Sequence, residues 1–310
     1  MKYSRVFLIL VLMLLLFACS LFDGSNTIAL DQITYFETTK IKDLENYQQS
    51  AFLSPDGEKI AFIDPEEICI FEISVKTEDC KNFPDGFRPD LTYVPKWSPD
   101  SRYVVMTETS LKFMVDSDIW IFDSQTEDYT NLTNDGYEAG ILKAEEEIFV
   151  DVFPTWTGKN EITFARWIMG GNEQNVTFNS VDIDGKVSQV YDPDLQVIPG
   201  VLAISPDGSQ FIYAEYSVRS DFYLFDSKTG DEDKILSDTS ISYFPDFTPD
   251  MDWAILQLNG GLDIRDIPAL ILVPLDSGEE TVEIEFERTE TLTFISISPD
   301  SKGFLAMVYD

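Results

Sequence analysis

One pattern recurs along the chain: an apolar run of strand length, a polar turn, then a second run that leaves the turn as a strand. Ser54-Pro55-Asp56-Gly57 leads into Lys59-Ile60-Ala61-Phe62, and Ser98-Pro99-Asp100-Ser101 into Tyr103-Val104-Val105-Met106. Thr157-Gly158-Lys159-Asn160 leads into Ile162-Thr163-Phe164-Ala165, and Ser205-Pro206-Asp207-Gly208 into Phe211-Ile212-Tyr213-Ala214. Thr248-Pro249-Asp250 precedes Trp253-Ala254-Ile255-Leu256, and Ser298-Pro299-Asp300-Ser301 precedes Phe304-Leu305-Ala306-Met307. The motif starts are 44, 59, 48, 43 and 50 residues apart. Proline presets φ at the first turn position, Asp or Ser caps the turn, and Gly takes the positive-φ position, so each motif reads as a hairpin. A third strand follows in Ile68–Phe71, Ile119–Phe122, Phe222–Phe225 and Leu270–Val273, and a fourth in segments such as 128–133 and 282–286.

Four short strands per repeat at this period predict an all-β, six-bladed β-propeller of four-stranded antiparallel blades. The last motif stops two strands short at Asp310. The β-like segment Thr27–Glu37 is expected to supply the missing outer strands and to close the ring.

The first residues read differently. Lys2 and Arg5 precede the twelve apolar residues 6–17, and Leu16-Phe17-Ala18-Cys19 follows. The run is short for a membrane-spanning helix and has the length and flanks of an export signal. A small residue before a cysteine, with Leu three positions ahead of that cysteine, resembles the bacterial lipobox. The resemblance implies cleavage before Cys19 and a lipid thioether on its sulfur. The expected organisation is a lipoprotein signal peptide over 1–18, a short tether over 19–26 and the propeller over 27–310. Ser20 follows the cysteine, which in a two-membrane bacterium points to the outer membrane. The expected address is the cell membrane or outer membrane, lipid-anchored and facing the periplasm or exterior.

The repeats resemble the TolB-like propeller repeat, in which a Trp-Ser-Pro-Asp-Gly turn leads into an Ile-Ala-Phe strand. Residues 50–310 carry the resemblance, with Trp156-Thr157-Gly158-Lys159 departing most. It implies a fold more than an activity. Relatives of this kind include periplasmic TolB and the propeller halves of prolyl-oligopeptidase-like peptidases. This chain has neither room for a hydrolase domain nor a histidine to run one.

Composition narrows the chemistry. The 310 residues carry 21 Lys and Arg against 56 Asp and Glu, a net charge of −35, and no histidine. Phosphate backbones would be repelled, which removes nucleic acid as a partner. Ser-His-Asp and Cys-His catalysis and His-ligated zinc are excluded. After loss of Lys2 and Arg5 the body is more acidic still, so anionic headgroups hold it off the membrane surface. Asp182-Ile183-Asp184-Gly185 lacks the later ligands of a calcium loop and reads as a turn. No metal, cofactor or catalytic residue is assigned.

Trp97 and Trp156 share one repeat position directly before the turn and read as core. Cys69 and Cys80 form an even pair in an exported chain; placing the hairpin turn at 74–77 sets Cys80 opposite Phe71 and leaves both a disulfide and two buried thiols open. Arg88, Arg166, Arg219, Arg265 and Arg288 map to the face carrying the two-to-three and blade-to-blade loops. Arg102 and the lysines Lys59, Lys76, Lys159, Lys186, Lys228 and Lys302 map to the opposite, turn face. Five guanidinium forks around one channel mouth would suit a partner's carboxylate, with Trp167 and Tyr216 covering its aliphatic part. The competing arrangement pairs each arginine with an acid of its own blade. Three functions follow: a non-catalytic lipid-anchored propeller binding a protein or peptide, a carbohydrate-binding or hydrolytic propeller using loop carboxylates, and an envelope scaffold without a small ligand.

Overall fold

The computed structural model describes residues 4–10, 37–44, 50–90, 93–108, 117–135, 148–169, 175–192, 199–215, 219–240, 243–258, 269–275, 281–285, 291–298 and 304–309. It is an all-β propeller of four-stranded antiparallel blades. Strands β1 (Ser4–Leu10) and β2 (Glu37–Leu44) precede the motifs. The first blade is β3 (Ser50–Leu53), β4 (Lys59–Ile63), β5 (Glu67–Glu72) and β6 (Thr77–Asn82). The second is β7 (Lys96–Trp97), β8 (Tyr103–Thr107), β9 (Ile119–Asp123) and β10 (Asp128–Asn131). The third is β11 (Ile148–Gly158), β12 (Glu161–Met169), β13 (Asn175–Asp182) and β14 (Val187–Tyr191). The fourth is β15 (Pro199–Ile204), β16 (Gln210–Glu215), β17 (Arg219–Asp226) and β18 (Glu232–Ser240). The fifth is β19 (Tyr243–Phe247), β20 (Trp253–Leu258), β21 (Ala269–Pro274) and β22 (Val282–Glu285). β23 (Thr291–Ile297) and β24 (Phe304–Tyr309) end the chain.

The motif turns form as their residues dictate. The Ser54 hydroxyl donates to Asp56 and accepts from the Lys59 amide at 2.9 Å, and Ser205 repeats both contacts with Asp207 and Gln210. Gly57 and Gly208 hold φ of 72° and 70°, which a side chain would strain. First strands of successive blades lie beside one another, β3 by β7, β7 by β11, β11 by β15 and β15 by β19, while β23 packs against β3. They therefore line the axis. The core is a series of layers between blades. Phe52, Ile68, Trp97, Met106 and Phe122 fill the first junction, and Val105, Ile121, Trp156 and Phe164 the second. The repeated tryptophans are core, as expected. Each indole N–H reaches back one blade, Trp97 to the Phe52 carbonyl at 3.0 Å and Trp156 to the Lys96 carbonyl at 3.1 Å.

Two expectations are corrected. Five blades, not six, are built from four consecutive strands; the last two strands share a sheet of order β2-β1-β24-β23. Its outer strands come from Ser4–Leu10 and Glu37–Leu44 rather than from 27–37, whose first ten residues lie outside the described ones. Val6, Phe7 and Ile9 are strong strand formers, and with Leu8 they set apolar residues in register with Phe304–Met307 of β24. Residues 19–310 alone would keep three strands of that sheet. The second correction concerns the first blade. The β5–β6 turn is Ile73–Lys76, with Lys76 at φ 58°, so Cys80 lies opposite Cys69 and Glu78 opposite Phe71.

Cys69 and Cys80 are joined, with Cα atoms 4.0 Å apart. All six residues of β6 are exposed, so this strand adds no apolar layer and the bridge is its covalent hold. The bridge closes a loop of 11 residues. In the chain-entropy view such a loop contributes about 2–3 kcal/mol. Cys69→Ser with Cys80→Ser should lower the unfolding free energy by that amount in urea titrations, and reductant should reproduce the loss in the parent. A parent indifferent to reductant would refute it.

Candidate functional site: the turn-face mouth of the channel

The motif turns converge at one end of the axis. Pro55, Pro99, Pro206 and Pro249, one from each of four blades, surround a cavity of about 330 Å³. Phe52, Trp97, Trp156 and Phe247 supply further apolar wall. Lys96 of β7 and Asp246 of β19 pair at 2.7 Å among its lining residues. β11 and β15 stand between β7 and β19 in the ring, so this ion pair spans the channel. The mouth is thus an apolar cup with one polar, cross-axis contact. The motif aspartates stand on the turns next to the prolines. Burial raises the Asp207 carboxyl, but hydrogen bonds from Ser209 and Ser205 and the Lys228 ammonium outweigh it and hold it well below the usual range. Asp56 is held low in the same way by Ser54 and the Glu58 amide against its burial. The two turns that carry Asp56 and Asp207 therefore stay anionic at neutral pH. A cup of this size with few polar groups has the shape and chemistry to take an apolar group carrying one polar end.

The sequence singled out the other face, and the structure accounts for part of it. Arg166 lies on β12 directly opposite Asp151 of β11. Its Nε and Nη2 donate to the two Asp151 oxygens at 2.7 Å each. The Asp151 side chain is 1% exposed. The guanidinium also covers the Phe149 and Phe164 rings at 4.8 and 5.5 Å. Phe164 belongs to the layer facing the second blade, so Arg166 points into the junction of blades two and three. There Asp118 accepts from Asn131 at 2.7 Å and the Asp151 amide donates to the Ser117 carbonyl at 2.8 Å; on the side of the first junction, Glu108 accepts from the Trp120 indole at 2.7 Å. Burial pushes Asp151 up to about 6, against the lowering pull of Arg166. Burial likewise raises Asp118 and Glu108.

The remaining arginines divide. Arg102, on the turn face, pairs with Asp123 of its own blade at 2.6 Å. Arg88 is exposed and donates to the Phe87 carbonyl at 2.9 Å. Trp167 is buried and faces the fourth blade with Leu202 and Phe211, apart from Arg166. Arg219 opens β17, opposite Ser240. Tyr216, Arg265, Arg288 and Cys19 lie outside the described residues. Glu67 stands beside the sulfurs of Cys69 and Cys80, but bridged sulfurs offer a metal no thiolate.

The class of protein defined here is a β-propeller with an apolar, proline-ringed channel mouth. No protein-family model matches the chain, and no curated protein matches it. Among solved structures it is similar to putative TolB from Agrobacterium tumefaciens, at 13% identity over 100% of this chain and 99% of that one, with a TM-score of 0.57. It is similar to TolB from Acinetobacter baumannii at 16% identity over 88% of this chain, with a TM-score of 0.52, and spans 57% of that chain's length. Hydrazine synthase from Kuenenia stuttgartiensis is similar at 12% identity over 85% of this chain and 75% of that one, with a TM-score of 0.52. These likenesses show a TolB-like propeller fold.

Proposed function

We propose that this chain is a non-catalytic propeller of the bacterial cell envelope, held to a membrane by lipid on Cys19, whose cup receives a protein or peptide partner. The observation that carries the reading is the cup itself, built by the prolines and tryptophans of the repeats and crossed by the Lys96–Asp246 pair. The Cys69–Cys80 bridge supports an oxidising compartment outside the cytoplasm. Among the described residues no helix is long and apolar enough to cross a membrane. The raised Asp151 carboxyl is sealed behind Arg166, which favours a structural over a hydrolytic role for it.

A second reading places the partner on the opposite face, where Arg88 is exposed and Arg219 opens β17. The two faces are separable. Pro99→Glu with Pro206→Glu adds charge to the cup's rim and leaves the Asp caps in place. Crosslinking in the native envelope, with identification of the captured protein, should show capture falling at least about tenfold for this variant, the loss of roughly 1.4 kcal/mol. Arg88→Ala should leave capture unchanged. The reverse outcome moves the partner to the loop face, and hydrolysis of a carbohydrate substrate by the purified protein would overturn both. For the anchor, mass spectrometry of the membrane fraction should find a diacylglyceryl Cys19 at the new N-terminus, absent in Cys19→Ser; an intact, unmodified Cys19 ends the lipoprotein reading.

A further inference from the structure

Glu67, Cys69 and Cys80 lie on one face of the outer hairpin of the first blade. Cys69 pairs with Cys80 across β5 and β6, and Glu67 stands two residues before Cys69, so strand alternation turns all three the same way. Ile68 and Ile70, on the opposite face of β5, fill the junction with the second blade. A Glu67 carboxylate oxygen and the two sulfurs lie within 4.8 Å of one another. Cys69 is buried, Glu67 half-buried and Cys80 exposed, so the group is rooted in the blade and open on one side. Asp64 caps the turn before β5 by accepting the Glu66 and Glu67 amides at 2.7 and 2.9 Å, which fixes the backbone under Glu67. Among the described residues the Glu67 carboxylate accepts no hydrogen bond and pairs with no cation; Asp64, Glu66 and Glu78 add negative potential there instead.

We propose that the reduced form of this hairpin is a binding site for a divalent cation of the zinc class, held by the Cys69 and Cys80 thiolates and a Glu67 oxygen, and that the disulfide is its closed state. Two thiolates and a carboxylate are donors that zinc takes, with bonds of about 2.3 Å to sulfur and about 2.0–2.2 Å to oxygen. Tetrahedral donors at those lengths stand about 3.3–3.8 Å apart. Breaking the bridge lets the sulfurs part to that separation, while their directly opposed strand positions keep them facing each other. The fourth position is left to water.

The site opens by thiol–disulfide exchange with a dithiol reductant. Its thiolate attacks the bridge, which is within reach because all six residues of β6 are exposed. The S–S bond breaks, two electrons pass to this chain, and the reductant leaves as its own disulfide. Each cysteine then holds a proton, and the metal displaces both to solvent as it binds. A disulfide oxidant reverses the sequence and releases the ion. Both end states tie β6 to β5, one by a covalent bond and the other through the metal. In the oxidising compartment proposed above the bridge is the resting form. The site needs neither the lipid nor the cup, so its test is independent of both.

The full chain is reduced with a phosphine, which brings no competing thiol, and titrated with Co2+ under anaerobic conditions. The reduced parent should bind one Co2+ per chain, with sulfur-to-cobalt charge-transfer absorption and the visible bands of a tetrahedral ion, and Zn2+ should displace it. The bridged parent should show neither. Glu67→Gln keeps both cysteines and should weaken the reduced site at least about tenfold, since even groups that only orient metal ligands are worth about 10–100-fold. Zn2+ should also raise the urea midpoint of the reduced parent towards that of the bridged one. A reduced parent without the charge-transfer band, or one that holds Co2+ no more tightly than Cys69→Ser with Cys80→Ser, overturns the site. Unchanged affinity in Glu67→Gln overturns the three-donor set, and a bridged parent that binds as tightly overturns the redox gate.

Discussion

Arg166→Ala should lower the unfolding free energy at pH 8 by about 3–5 kcal/mol, the usual cost of leaving one member of a buried ion pair without the other. The arginine holds both oxygens of Asp151, and that carboxylate has 1% of its surface exposed. Asp118, whose carboxyl burial also raises, is close enough to add to the stranded negative charge. The loss should shrink at pH 5, because the orphaned Asp151 escapes it by taking up a proton. Arg166→Met with Asp151→Leu removes both charges and should recover most of the stability, which tells the ion pair apart from mere packing of the arginine stem. Urea midpoints for the three proteins at the two pH values decide it. A single-variant loss below about 1 kcal/mol at both would show that the junction of blades two and three does not depend on this pair.

The blades were legible because their turns are chemically over-specified. A Ser-Pro-Asp-Gly sequence sets φ twice and caps itself, and Ser54 and Ser205 do so with the same contacts. The β5–β6 turn has no such signature. It uses a left-handed Lys76 where no glycine marks the spot, so the register of Cys80 was misplaced by two residues. Arg166 lies toward the end of the second strand β12, but a strand has two faces. Only the pairing with Asp151 shows that its guanidinium enters a blade junction. The cup was invisible for a different reason. Lys96 and Asp246 are 150 residues apart, and only the ring brings them together across the axis. The tryptophans lining it were seen, yet their repeated position argued for core, and their buried indoles bear that out while one side of each still walls the cavity.

Acidification from pH 8 to about 5 should stabilise the protein, the opposite of what paired carboxylates usually do. Asp151 titrates near 6 in the folded chain against 3.8 for an ordinary aspartate. A carboxyl raised by folding contributes stability that is complete below 3.8 and is lost as pH rises through 6. That difference corresponds to on the order of 3 kcal/mol for this group. Asp118 and Glu108 are raised as well and act in the same direction. Protonation also relieves a net charge of −35, whose self-repulsion weighs against the compact state. The trend must reverse at lower pH. Asp56, Asp123, Asp207 and Asp226 are held below the ordinary value, so their contributions are present above 3.8 and vanish as pH falls through their folded values. These four close turns in three blades, and losing them opens the hairpins that the repeats are built on. Melting temperature should therefore peak between about pH 4 and pH 5. Asp151→Asn removes the titrating group while leaving an acceptor for Arg166, and should flatten the rise between pH 8 and pH 5 more than it shifts the acid limb. A parent whose stability climbs steadily from pH 5 to pH 8 would show that Asp151 is ionised at no cost, and the assignment of its raised carboxyl would fall.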